Sequence, residues 1–151
     1  MRKAFTLIEL LVVIAIISSL ATLAFISIQP AQKQARDARR KSDIKQYQTS
    51  LEIYANKNAG AYPLRSGSTQ ASTVLCLDLG LTGCPEDPKY SASNPSQTYF
   101  YQADASGAKY VLWSRLEGSP DPINYFIVCS NGKGGILSQG VPPAGGVCPL
   151  P

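Results

Sequence analysis

The chain has 151 residues, a length that fits one domain with an appendage. Its formal net charge of +4 comes from basic residues near the N-terminus and in residues 33–45, while residues 59–151 are close to neutral. A basic nucleic-acid platform is therefore not indicated. The sequence has no His, which removes the commonest general base and the commonest metal ligand. We predict that the chain is not an enzyme and has no cofactor or metal site.

Residues 5–28 form an apolar run in which Glu9 is the only charged residue. At about 1.5 Å per helical residue, the run is long enough to cross a hydrocarbon core of roughly 30 Å. It is too long for a secretory signal peptide and no Ala-x-Ala cleavage site follows it, so we predict a retained membrane helix. A carboxylate in such a helix is costly and suggests a partner or a function. The alternative is that Glu9 only reaches the membrane interface from the first helical turn.

The helical pattern continues beyond the apolar run, over residues 29–58. Apolar residues recur there at three- and four-residue spacing, so we predict a near-continuous helix from Phe5 to about Asn58. Pro30 removes one backbone hydrogen bond and predicts a kink, with a complete break as the alternative. The basic stretch from Lys33 to Lys45 is interpreted as a solvated face with same-helix ion pairs, for example between Asp37 and Lys33 or Lys41. The alternatives for this basic stretch are contact with lipid headgroups and contact with DNA.

Residues 59–151 are predicted to form a globular β head domain. Residues 61–96 are rich in Pro, Gly, Ser and Thr and predict an irregular surface loop, in which the adjacent acids Glu86 and Asp87 are at most a weak calcium candidate. Four strands are then predicted, over residues 97–102, 109–116, 123–129 and 135–138, with a longer connection over 118–122. We expect the strand at 123–129 to be central, and Tyr99 and Tyr101 to share one face. The second half of the helix is expected to cover one face of this antiparallel sheet.

All four cysteines lie in the head, at positions 76, 84, 129 and 148. Their even number favours disulfides over a metal site. We predict that Cys76 pairs with Cys84 across a short loop, and that Cys129 pairs with Cys148 to tether the Pro- and Gly-rich tail; two other connectivities are possible. Disulfides place the head in an oxidising compartment, whereas the count of Lys and Arg on the two flanks of the apolar run would place it in the cytoplasm. We favour the orientation that the cysteines indicate.

The stretch from Lys3 to Ile17, with Ala4-Phe5-Thr6-Leu7-Ile8-Glu9 at its centre, resembles the processing site of type IV pilins and of the related pseudopilins of type II secretion. The resemblance implies a leader of residues 1–4 that prepilin peptidase cuts between Ala4 and Phe5, and N-methylation of the new amine on Phe5. It also implies that Glu9 forms the assembly salt bridge with that amine. The family usually has Gly before the cut, and Ala4 is the next smallest residue. The strong resemblance covers about the first thirty residues.

The same resemblance implies an α+β type IV pilin fold and a structural function. The subunit would sit in the bacterial inner membrane as a precursor, with its head outside the cytoplasm, and would polymerise into a helical pilus for adhesion, motility or DNA uptake. Its implied partners are further copies of itself, minor pilins, prepilin peptidase, the inner-membrane platform protein and the assembly ATPase. Nucleic acid would be a partner only of a competence pilin. The alternatives are a pseudopilin and a monomeric single-pass membrane protein with a disulfide-bonded binding domain.

Overall fold

A computed structural model describes residues 5–118, 122–138 and 140–151, and for residues 23–27 it describes the backbone alone. One long helix, α1, spans Leu7–Lys57 and continues through Pro30. The structure therefore has no helix break at Pro30, and the kink remains a prediction. Asn58 caps the C-terminus of α1, and its side chain donates a hydrogen bond back to the carbonyl of Tyr54. The predicted boundaries of the helix are correct to within two residues at its N-terminus and one at its C-terminus.

The head contains a five-stranded antiparallel sheet in which the strands follow one another in chain order. Its strands are β1 (Thr69–Gln70), β2 (Tyr99–Ala103), β3 (Tyr110–Arg115), β4 (Asn124–Cys129) and β5 (Gly134–Ser138). The predicted α+β class is confirmed, and the four predicted strands correspond to β2–β5. The predicted connection over 118–122 falls largely on residues 119–121, outside the described residues.

The loop predicted over residues 61–96 is partly wrong, because its middle is regular. β1 is followed by a π-helical turn over Ala71–Leu75 and by the short helix α2 over Cys76–Asp78. The turn forms because Ala71, Leu75 and Cys76 fall on one side of it and are buried against the head. β1 also adds a strand beside β2, so β3 is the middle strand of the sheet rather than β4. β4 is nevertheless paired on both sides and covered on both faces.

The second half of α1 packs on one face of the sheet, as predicted. Its core-facing residues repeat at helical spacing, and Ile44, Tyr47 and Leu51 are fully buried. The sheet contributes alternate residues to this core: Tyr99, Tyr101, Tyr110, Leu112, Phe126 and Val128. Tyr99 and Tyr101 therefore do share one face.

The opposite face of the sheet is covered by the C-terminal tail. Trp113, Val111 and Ile127 form a second core with Leu137, and Leu150 of the tail packs against it. The disulfide between Cys129 and Cys148 joins the tail to the end of β4. The tail has no helix or strand over residues 140–151, in keeping with its Pro and Gly content, so its position depends on this disulfide and on the packing of Leu150.

Candidate functional site

The N-terminus of α1 is closed by a capping box between Thr6 and Glu9. The carboxylate oxygen Oε2 of Glu9 accepts hydrogen bonds from the backbone N–H of Thr6 at 3.0 Å and from its hydroxyl at 2.9 Å. In return, the backbone N–H of Glu9 donates to the Thr6 hydroxyl oxygen at 3.3 Å. The reciprocal pair satisfies donors that a helix start otherwise leaves free, which explains why α1 begins at Leu7.

The capping box uses only one of the two carboxylate oxygens of Glu9. Both contacts from Thr6 go to Oε2, so Oε1 can accept a further donor. Phe5 lies just outside the helix with an exposed side chain, four residues before Glu9. Ala4, the other half of the predicted cleavage site, lies outside the described residues together with the rest of the leader. The structure thus brings Phe5, Thr6 and Glu9 into one short segment and does not describe the bond that would be cut.

The first half of α1 presents an apolar surface that no residue described by the structure covers. Every side chain described from Phe5 to Thr22 is exposed, and most are large and aliphatic. Hydroxyls in this segment donate to backbone carbonyls of the same helix. Ser18 donates to the carbonyl of Ile14 at 2.7 Å, and Thr22 donates to that of Ser18 at 2.7 Å. Hydroxyls satisfied within their own helix can be buried against apolar neighbours without losing a hydrogen bond. Within the part of the chain that the structure describes, no helix is both long enough and apolar enough to cross a membrane.

A buried ion cluster joins α1 to the head, where the sequence predicted a solvated face. Arg40 has no exposed surface, and its guanidinium contacts three carboxylates. It binds Asp87 through Nε at 2.6 Å and Nη2 at 2.9 Å, Asp37 through Nη1 at 2.7 Å, and Glu117 through Nη1 at 2.7 Å. The solvated-face interpretation is wrong for Arg40, because this residue continues the core-facing stripe of α1 by one turn before Ile44.

Two further cations complete the cluster at Glu117. Arg36 binds this carboxylate with two parallel hydrogen bonds, at 2.8 and 2.7 Å, and Lys89 lies 2.8 Å from it. The hydrogen bonds from Arg36, with those from Lys89 and Arg40, hold the pKa of Glu117 far below its usual range. Burial alone would lower the pKa of Arg40, but its hydrogen bonds to Asp87, Glu117 and Asp37 raise it above its ordinary value. Glu117 and Arg40 therefore remain ionised throughout the physiological pH range.

Asp37 is not paired as predicted. It was expected to pair with Lys33 or Lys41, but it accepts hydrogen bonds from Arg40 and from the backbone N–H groups of Glu117 and Gly118, at 3.0 and 3.1 Å. The backbone of the segment after β3 is thus held directly by a helix side chain. Lys41 instead lies over the ring of Phe126, 5.9 Å from its centroid.

Carboxylates of α1 also bind the tyrosines of the core. Asp43 accepts a hydrogen bond from the Tyr99 hydroxyl at 2.6 Å, and Glu52 accepts one each from Tyr62 and Tyr110 at 3.0 Å. Burial, together with the hydrogen bond to Glu52, raises the pKa of Tyr62 to about 12. Sequence reasoning missed these contacts. The sequence signal for them was the position of each acid beside the apolar stripe of α1, in a chain whose head contains several Tyr residues.

The prokaryotic N-terminal methylation motif matches residues 1–25. The chain carries the class III signal peptide of type IV pilins and pseudopilins. This match covers Phe5, Thr6 and Glu9, whose geometry is described above, and most of the exposed apolar surface of α1. No characterised protein matches the chain at a significant level. No solved structure does so either.

The head contains both of the cysteine pairs that were predicted from the sequence. Cys76 is bonded to Cys84 and Cys129 to Cys148, with Cα–Cα distances of 6.0 and 5.7 Å. The weak calcium candidate at Glu86 and Asp87 has another role, because both carboxylate oxygens of Asp87 bind Arg40. Among the described residues, no group of three or more metal-ligating side chains comes together.

Proposed function

We propose that this chain is a structural pilin subunit that polymerises into a type IV pilus after prepilin peptidase removes its leader. The coarser conclusion, that the chain is a type IV pilin-like or pseudopilin precursor, follows from its N-terminal methylation motif. The observation that carries the finer proposal is the division of α1. Its second half is buried in the head, whereas its first half is an exposed apolar rod that can pack in the membrane and then against copies of itself.

The proposed cut gives Glu9 a partner that the precursor lacks. Cleavage between Ala4 and Phe5 would create an α-amine that is mostly protonated at neutral pH. Within an apolar filament core this cation needs an anion, and Glu9 is the only acid in the run. Oε1 of Glu9 is available, since the capping box uses Oε2. A subunit out of register would leave a buried charge unpaired, at a cost of about 3–5 kcal/mol, so the pair would fix the axial register.

This proposal includes partners and a location. Before assembly, the precursor would be anchored in the inner membrane with its disulfide-bonded head outside the cytoplasm. Prepilin peptidase would act on it there and would methylate Phe5. An inner-membrane platform protein and an assembly ATPase would then drive its addition to a filament of identical copies and minor pilins. The mature subunit would reside in a cell-surface pilus.

Two alternatives remain distinguishable by experiment. A pseudopilin of a type II secretion system would share the whole N-terminal mechanism, but its loss would abolish the secretion of proteins and leave surface pili intact. A monomeric single-pass membrane protein would keep Met1 at its N-terminus and would not assemble.

Three single-residue variants, expressed in the native host, test the assembly mechanism. Glu9→Gln keeps a capping box, because Gln can take this position, and removes only the charge. Thr6→Ala is the matched control, because it removes the cap and leaves the charge. Ala4→Arg places a bulky cation at the cut. We expect filaments with Thr6→Ala and none with Glu9→Gln or Ala4→Arg, while mass spectrometry of the wild type finds methylated Phe5 as its first residue. Normal filaments with Glu9→Gln and Ala4→Arg would refute the proposal.

A further inference from the structure

The irregular segment between α2 and β2 is hydrogen-bonded to side chains of α1 through Pro85 and Asp87. Residues 84–90 run beside the helix without regular structure, and they supply the third carboxylate of the Arg40 cluster. The carbonyl of Pro85 accepts a hydrogen bond from the Tyr47 hydroxyl at 2.9 Å. Asp87 binds Arg40 with both of its carboxylate oxygens. Its Oδ1 also accepts the backbone N–H of Lys89 at 2.8 Å, and its backbone carbonyl accepts that of Tyr90 at 2.9 Å.

The Cys76–Cys84 disulfide holds the start of this segment. Cys76 is almost fully buried and follows Leu75, which is fixed in the helix-side core. Asp87 lies three residues beyond Cys84, so the intervening chain can span at most about 11 Å. The disulfide therefore confines Asp87 to the neighbourhood of Arg40. Without it, the nearest hydrogen-bonded anchor upstream of Cys84 is Leu81, whose backbone N–H donates to the carbonyl of Cys76 at 3.2 Å.

We propose that the Cys76–Cys84 disulfide and the Arg40 cluster act together as a redox-sensitive latch between the head and α1. With the disulfide formed, Asp87 is held against Arg40 and residues 84–90 lie on the helix. With both thiols reduced, residues 84–90 leave α1, and Arg40 keeps only Asp37 and Glu117. The latch would thus close only in an oxidising compartment, after the head has left the cytoplasm.

Closure is a thiol–disulfide exchange with an external disulfide donor. The thiolate of one cysteine attacks the donor disulfide and forms a mixed disulfide, which releases one donor thiol. The second cysteine thiolate then attacks the cysteine sulfur of that mixed disulfide, forms the Cys76–Cys84 bond and releases the second donor thiol. The two electrons pass to the donor, and its two leaving thiolates take up the two protons that the cysteines lose, so the donor ends as a dithiol or as two thiols and no net proton is released.

Hydrogen exchange of the full-length chain in detergent micelles tests the latch. The backbone N–H groups of Lys89 and Tyr90 report whether the Asp87 turn is intact, and that of Leu112 in the middle strand reports global folding. We expect the Cys76→Ser/Cys84→Ser variant to exchange at Lys89 and Tyr90 at least about tenfold faster than wild type, with Leu112 unchanged. The Cys129→Ser/Cys148→Ser variant is the matched control and should keep both groups protected. Unchanged protection in the first variant, or equal loss in both, would contradict the latch.

A second measurement avoids removing the cysteines. Because coupling is reciprocal, weakening the cluster must make the Cys76–Cys84 bond easier to reduce. We expect Asp87→Asn to shift the equilibrium between this disulfide and dithiothreitol toward the reduced form by at least about fivefold. Glu86→Gln, an exposed neighbour, should leave it unchanged. An equal equilibrium constant in both variants would refute the coupling. Neither measurement involves leader cleavage or filament formation, so failure of the latch would leave the pilin proposal untouched.

Discussion

Arg40 shows how a charged side chain can occupy a core position when its partners are brought to it from elsewhere in the chain. Burying an isolated cation is prohibitive, but here Asp37 comes from the same helix, Asp87 from the loop before β2 and Glu117 from the segment after β3. Arg is suited to this position, since its planar guanidinium can bind several carboxylates at once. One residue thereby ties three distant segments of sequence together.

Replacing Arg40 should therefore destabilise the head far more than replacing its neighbour. Arg40→Met removes the cation and leaves three carboxylates close together, so we expect the free energy of unfolding to fall by about 3–5 kcal/mol. Arg39→Met is the matched control, because Arg39 is exposed and lies 3.8 Å from Asp43 at its nearest. Its expected effect is below about 1 kcal/mol. Urea unfolding of the full-length chain in detergent micelles measures both values, and similar losses in the two variants would contradict the assigned role.

At the scale of secondary structure, the elements with a clear pattern of apolar residues were predictable from the sequence, and the others were not. The stripe of Ile44, Tyr47 and Leu51 predicted the helix, and short apolar and aromatic segments separated by turn signals in residues 97–138 predicted four strands. β1 has only two residues, too few to show any alternation, and its pairing depends on β2, some thirty residues later in the chain. The ion cluster could not be predicted for a related reason. Its carboxylates are distant in sequence, and the pattern of charges along α1 does not specify which of them will be buried.

The tail provides an element-scale prediction, since its path depends on a close approach of Gly146 to the β2–β3 turn. A Cβ at Gly146 would clash with the backbone nitrogen of Asp104, and the residue has a φ of +68°. Gly145 is the matched control: its φ is +73°, but a Cβ there would contact nothing. We expect Gly146→Ala to lower the free energy of unfolding by about 2–4 kcal/mol, from backbone strain and the clash together.

Gly145→Ala should cost only about 1 kcal/mol, because it adds strain alone. Urea unfolding measures both variants. Exchange of the Asp104 backbone N–H, which donates to the carbonyl of Lys109, reports whether the β2–β3 turn has been displaced. Equal effects of the two substitutions would mean that the tail does not depend on this contact.

At the scale of the whole molecule, the two halves of α1 lie in different environments. From Arg36 onward its inner side is built into the head through the ion cluster and the core, while the described side chains before Arg36 are all exposed. No described contact of the head therefore depends on residues 5–28. This division suits a subunit that must keep its head folded while the apolar half of its helix exchanges one set of apolar neighbours for another.

The division predicts that the head folds without the apolar half of α1. A variant that begins at Gln29 should be monomeric without detergent, and its Tm should lie within about 2 °C of that of the full-length chain, because it loses no described contact of the head. A variant that begins at Ile44 is the control. It lacks Arg36, Asp37 and Arg40, so Glu117 and Asp87 lose their helix partners and its Tm should fall by more than about 10 °C. Thermal unfolding followed by circular dichroism measures both. A large loss of Tm in the first variant would show that the apolar half of α1 supports the head, and that the two environments of the helix are not independent.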